Sequence, residues 1–222
     1  MGECLLHQKI RVEDVTVTSN TSWLLRKILK ARELIVRIGG WETVSNQWKF
    51  SIKTAYKLLQ ANYDNVVWKR LVCNNQATPK SKFILWLALL NRLATAERVS
   101  KWSWELSPLC KLCGTDIENV QHLFFNCQYS NTVWCNVLRY LNLQPQGTAQ
   151  QDMEMAIRKA RSTKDRSKLF VMMYTESVYS IWLQRNAKYF RDSDVNPNDL
   201  ARNIILRVAV ICSEKQKQML VM

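Results

Sequence analysis

Residues 110 to 127 carry the pattern Cys-x2-Cys-x8-His-x4-Cys, on Cys110, Cys113, His122 and Cys127. No other feature of the chain restricts its fold as much. Two thiols one tight turn apart can face one ion through a knuckle whose backbone N–H groups point at the sulfurs. Gly114, directly after the second Cys, suits the left-handed backbone such a turn often needs. Borderline-soft Zn2+ prefers thiolate sulfur and imidazole nitrogen, and three thiolates with one imidazole close a tetrahedral shell. A catalytic zinc keeps a position open for water, and four protein ligands leave none. The pattern therefore predicts one structural zinc per chain. Ordinary burial explains any single cysteine equally well, and it is the four residues together that favour a metal.

The remaining cysteines, Cys4, Cys73, Cys135 and Cys212, read as small core residues. Seven cysteines is an odd number, and Met1 to Lys9 has no apolar signal segment. A disulfide framework is not expected, and a nuclear or cytoplasmic location fits better than secretion. Leu6 stands where a myristoylation signal wants Ser or Thr. The longest apolar run, Phe83 to Leu90, is too short to cross a membrane.

Hydrophobic residues make up 47% of the 222 and nine are Trp, so the chain can bury a core. With only five Gly and four Pro, long helices and a mainly α fold with little or no sheet are expected. Apolar residues from Trp23 to Ile35 recur at helical spacing and stop at Gly39-Gly40. Gln47 to Phe50 reads as a short extended piece, and Ser51 as the cap of a helix to Leu59. Thr78-Pro79 is a helix start. The helix from Pro79 should reach about Val99 and, being apolar all round at Phe83 to Leu90, should be central with Trp86 buried. Cys127 to Leu141 reads as a helix. Leu143 to Gln151, with Pro145 and Gly147, is the best linker candidate. A long helix should follow from about Asp165 to Phe190, and Asp199 should cap a last helix fading near Lys217.

Beyond the four ligands, several short stretches resemble the reverse-transcriptase zinc-binding domain of plant LINE-type, non-LTR retrotransposons. They include Trp68-Lys69-Arg70-Leu71, Pro79-Lys80, Phe83-Ile84-Leu85-Trp86, Asn91-Arg92-Leu93-Ala94-Thr95, His122-Leu123-Phe124-Phe125 and Val133-Trp134. Phe50-Ser51-Ile52-Lys53 is similar to that family's lead-in, and Val178-Tyr179-Ser180-Ile181-Trp182 to its trailing helix. Ala94 departs from the Pro often found there, and Trp102-Ser103-Trp104 stands where a Gly often follows the helix. The resemblance implies zinc on the four ligands and a role in handling the element's RNA or DNA target beside a polymerase. With the helices and linker read above, the chain divides into an N-terminal helix and lead-in (1–49), a zinc-binding domain (50–142), a linker (143–164) and a C-terminal helical segment (165–222).

Catalytic machinery is not legible. Nucleotidyl transfer needs paired carboxylates for two metal ions, and the chain has no Asp-Asp pair. Asp192, Asp194 and Asp199 read as loop and cap residues, because Pro197 stands where a calcium loop wants Gly. The histidines are His7 and His122 alone, which leaves a His-dependent triad without support. The expectation is a non-enzyme with no small-molecule substrate.

Charge points to the partner. Against 18 acids stand 32 Lys and Arg, a formal +14, which draws the chain to polyanions. Between Lys69 and Lys101 seven basic residues face one acid, Glu97. Lys80 and Lys82 fall in the first turn of a helix, where the macrodipole disfavours cations unless an anion is present. Lys69, Arg70, Lys80, Lys82 and Arg92 are thus candidate phosphate contacts, and Trp102 and Trp104 candidate stacking platforms, with solvated charge and core packing as the plainer alternatives. The expected function is a zinc-stabilised module binding nucleic acid, RNA first, with a polymerase or other protein as a further partner and no membrane. The competing readings are a zinc-stabilised protein–protein adaptor and a translated retroelement relic.

Overall fold

The structure, a computed structural model, describes residues 18, 21–46, 49–60, 65–102, 107–145 and 149–220. The chain divides into two compact units, Met1–Asp64 and Asn65–Met222. The division falls between Asp64 and Asn65, about fifteen residues beyond the expected lead-in boundary at 49.

In the first unit, α1 (Trp23–Arg37) runs to a turn through Gly39 and Gly40, whose φ values of 100° and 85° favour glycine. Helix α2 (Trp41–Val44) leads into a two-stranded antiparallel hairpin, β1 (Ser45–Asn46) and β2 (Lys49–Phe50), with Ser45 opposite Phe50. Ser51 then caps α3 (Ile52–Leu59) by accepting from the Thr54 N–H at 3.2 Å. Ile35, Val44 and Ala55 form its small core, with Ile38 and Trp41 packed on it.

The second unit is helical: α4 (Lys69–Cys73), α5 (Pro79–Leu89), α6 (Ala96–Ser100), a π-helical turn (His122–Asn126), α7 (Gln128–Tyr140), α8 (Ala149–Lys159), α9 (Asp165–Arg191), α10 (Pro197–Ile211) and α11 (Glu214–Lys217). Its centre is α9, 27 residues long and buried without a break from Leu169 to Val178. Helices α5, α7, α8, α10 and α11 all pack on it. A helix covered on every side must be apolar all round or satisfy its polar groups internally. Thr175 and Ser177 do so by donating to the carbonyls of Val171 and Met173 at 2.8 and 2.7 Å.

This corrects the expectation that the helix beginning at Pro79 is central and continues to Val99. Helix α5 stops at Leu89, and α6 begins only at Ala96. Asn91 takes a left-handed conformation (φ 53°), its N–H bonding Ala88 O and the Arg92 N–H bonding Leu87 O. That is a Schellman stop with Asn in the position glycine usually fills. Trp86 is 37% exposed and Phe83 54%, while Leu85 is 1% exposed. The apolar run covers a surface face as well as the core-facing one, so Trp86 is not the core residue expected.

The segment 143–164, expected as a linker, holds α8. Ala156 is fully buried, and Asp152 accepts the Trp134 indole N–H at 2.8 Å. Trp134 also meets Phe170 and Tyr174 edge-on, with centroids 5.7 and 5.5 Å apart. Helix α7 packs against α10, and α5 against α9, so the metal segment and the C-terminal helices share one core. Asn196 caps the last long helix in place of Asp199. Cys73, expected in the core, is exposed; Cys135 is half-buried and Cys212 buried. Cys4 lies outside the described residues. Among the described residues no helix is long and apolar enough to cross a membrane.

Candidate metal centre

The two ends of the metal segment reach the site by different devices. At the first, residues 108–118 fold back on themselves: Glu118 N–H bonds Pro108 O at 2.8 Å, and Cys110 N–H bonds Asp116 O at 2.7 Å. Gly114, at φ 73°, closes the turn by donating to Cys110 O at 2.8 Å. The N–H groups of Cys113 and Leu112 point at the Cys110 sulfur. This is the knuckle the Cys-x2-Cys spacing called for.

At the second end the backbone widens. The Cys127 N–H bonds His122 O at 2.7 Å, an i to i+5 bond. In an α-helix two residues five apart point about 140° away from each other. A π-turn narrows that angle and turns both toward one side, a use typical of functional sites. Asn119 Oδ1 accepts the His122 N–H at 2.7 Å and fixes the start of the turn. Cys127 then stands at the N-terminus of α7.

The result is one cluster. The ligand atoms of Cys110, Cys113, His122 and Cys127 lie within 4.8 Å of one another. Cys110 Sγ is 3.9 Å from Cys127 Sγ, and Cys113 Sγ is 3.2 Å from His122 Nε2. Zinc bond lengths in a regular tetrahedron set these edges at about 3.8 Å and about 3.6 Å. The donor set, its spacing and its burial therefore fit a zinc ion; Cys113 alone is half-buried while the other three are buried. The second nitrogen, His122 Nδ1, lies 3.9 Å from the Asp116 carboxylate, on the side where an outer partner orients a ligating imidazole.

The thiols of Cys127 and Cys110 are shifted in opposite directions. Cys127 is drawn down to about 5 by the hydrogen bond from Cys110, aided by the Ser130 and Tyr129 N–H groups at the helix start, against the effect of burial. Cys110 is pushed up, first by giving that hydrogen bond and then by burial. Metal binding releases the protons that such thiols hold.

Glu118, not singled out from the sequence, joins this centre to the rest of the unit. It is fully buried; Arg185 on α9 approaches its Oε1 with Nη2 at 2.6 Å and Nε at 2.9 Å. The same oxygen accepts the Ala96 N–H at 2.8 Å, and the Glu118 carbonyl accepts the Glu97 N–H at 3.1 Å. The sequence signal available was a lone Glu in the hairpin and the Arg185-Asn186 pair 67 residues on.

The candidate nucleic-acid residues sit on several elements. Lys69 and Arg70 are exposed on α4 and Lys80 on the first turn of α5. Lys82 is half-buried and donates to Asn75 O at 3.3 Å. Arg92 and Trp102 lie beyond the far end of α5 and line one pocket together. Trp104 lies outside the described residues.

Residues 50–134 match the family described as zinc-binding in reverse transcriptase, and the match contains all four ligands. No curated protein and no solved structure matches the chain. Motif, ligand geometry and family profile together define a zinc-binding module. Over the matched residues it is similar to the zinc-binding domain of reverse transcriptases.

Proposed function

We propose that the chain is a non-catalytic, zinc-stabilised nucleic-acid-binding module derived from the reverse transcriptase of a plant LINE-type retroelement, and that its ligand is RNA. The observation that carries this reading is a closed Cys3His cluster set into the core of a chain of net charge +14. Four protein donors leave the metal no open position, so its part is to hold the fold. What the fold then presents is positive charge. Lys69, Arg70, Lys80, Lys82 and Arg92 supply phosphate contacts, and Trp102 and Trp104 supply faces for unpaired bases.

A second reading, a protein–protein adaptor, has one observation in its favour: Phe83 and Trp86 form an exposed aromatic pair with ring centroids 5.8 Å apart. Filter binding of the full chain to single-stranded RNA, duplex RNA and duplex DNA at two salt concentrations separates the readings. The RNA module binds single strands best, and its affinity falls steeply with salt. Absence of RNA binding at low salt would leave the adaptor, or a relic without function.

A further inference from the structure

The break between α5 and α6 leaves a pocket of about 480 Å³ whose walls include Arg92, Arg98, Lys101, Trp102 and Glu97. Its size falls in the range of small-ligand sites, about 300–1,000 Å³. Three cations face one acid, and that acid is already engaged: Glu97 holds Lys101 at 3.3 Å. The Arg92 and Arg98 side chains make no hydrogen bond or ion pair among the described residues. Trp102 is 74% exposed, although its N–H ties it to Val99 O at 3.0 Å, at the end of α6. Its indole has no ring partner among the described residues. One uncovered flat apolar face beside two unengaged guanidiniums matches the two halves of a nucleotide, a base to stack and a phosphate to pair.

The pocket is anchored to the core beneath it. Leu93 and Thr95 in its wall are buried, as is the neighbouring Ala96, and the N–H groups of Ala96 and Glu97 hang on Glu118, which the zinc hairpin carries. The hairpin that carries the metal ligands is thereby tied, through Glu118, to the wall of the pocket.

We infer that this pocket seats one unpaired nucleotide of single-stranded RNA, its base on Trp102 and its phosphate on Arg92 and Arg98. The inference rests on the proposed RNA-binding function and names where a strand is gripped. Glu97 Oε2, the oxygen that Lys101 does not hold, can accept a hydrogen bond that a ribose 2′-hydroxyl donates and deoxyribose cannot, so RNA is the favoured strand.

The test is equilibrium binding of a fluorescently labelled octauridylate, and of its deoxy counterpart, to the full chain at several salt concentrations. Zinc content and circular dichroism of each variant establish that it is folded. Trp102→Ala should weaken RNA binding about tenfold with the salt slope unchanged, because stacking releases no counterions. Trp102→Phe should restore most of the loss. Arg92→Gln and Arg98→Gln should each weaken binding and flatten the slope by about 0.7. Wild-type binding with a Trp102→Ala affinity within twofold of it would overturn the pocket while leaving RNA binding in place. Equal affinity for the deoxy strand would overturn the ribose preference. No binding by the wild type would remove the function on which the inference stands.

Discussion

Arg185 on the central helix and Glu118 in the zinc hairpin form a buried ion pair, 2.6 Å from Nη2 to Oε1, with side chains 5% and 0% exposed. A charge in that position is costly once its partner is gone. Arg185→Met should therefore destabilise the protein by about 3–5 kcal/mol. Replacing both residues by apolar ones of similar size should cost less than either single change. Urea unfolding of the two single variants and the double variant measures this, and additive losses would show that the pair is not a unit.

The metal centre gives a direct stoichiometry. Purified protein should hold about one zinc per chain. Cys113→Ser should lose it and loosen the hairpin and the start of α7, since structural zinc supplies apparent binding energy of about 10–16 kcal/mol, much of it felt as folding. Full zinc in that variant by atomic absorption would refute the four-ligand site.

Acid should strip the ion. Each thiol must lose its proton before its sulfur binds the metal, so zinc affinity falls as pH falls. Competition against a colorimetric zinc indicator at stepped pH measures this, and an affinity independent of pH would refute thiolate ligation.

Core and surface change places on α5 relative to the sequence expectation. Leu85→Ala should cost about 2–5 kcal/mol, and Trp86→Ala distinctly less. Thermal unfolding of both variants decides the order.

Helix α7 ends as α5 does, with Asn142 left-handed at φ 51° and the Leu143 N–H bonding Leu138 O. Asn142→Gly should be tolerated, whereas Asn142→Val should cost about 1–2 kcal/mol, the penalty of a side chain in that conformation. Equal melting temperatures would show that the stop is set elsewhere.

What was legible in the sequence follows from how local each cause is. The ligands and the caps at Ser51 and Thr78 act over a few residues, and both caps are present as read. The stop of α5 was missed where Asn91 takes the left-handed conformation, since periodicity runs through an Asn without a mark, whereas the end of α7 at Tyr140 lies one residue from the Leu141 expected. The burial of Leu85 rather than Trp86 depends on α9, which lies far along the chain, and no local pattern specifies it. Likewise Glu118 gains meaning only from Arg185, 67 residues away. The end of α9 at Arg191 lies one residue from the Phe190 expected, and there Asp192 takes the same left-handed conformation.

The π-turn between His122 and Cys127 makes the two spacers of the motif unequal in what they can absorb over evolutionary time. The hairpin tip at Gly114 has nothing within 4 Å of where a Cβ would stand, so the eight-residue spacer that begins there has room for change at its tip, ahead of the Asp116, Glu118 and Asn119 contacts. The four residues after His122 have no such latitude: their count sets the i to i+5 bond that turns imidazole and thiol toward the same ion. Insertions and deletions among descendants of this chain should therefore accumulate on the Cys113 side of the histidine and be purged from the Cys127 side.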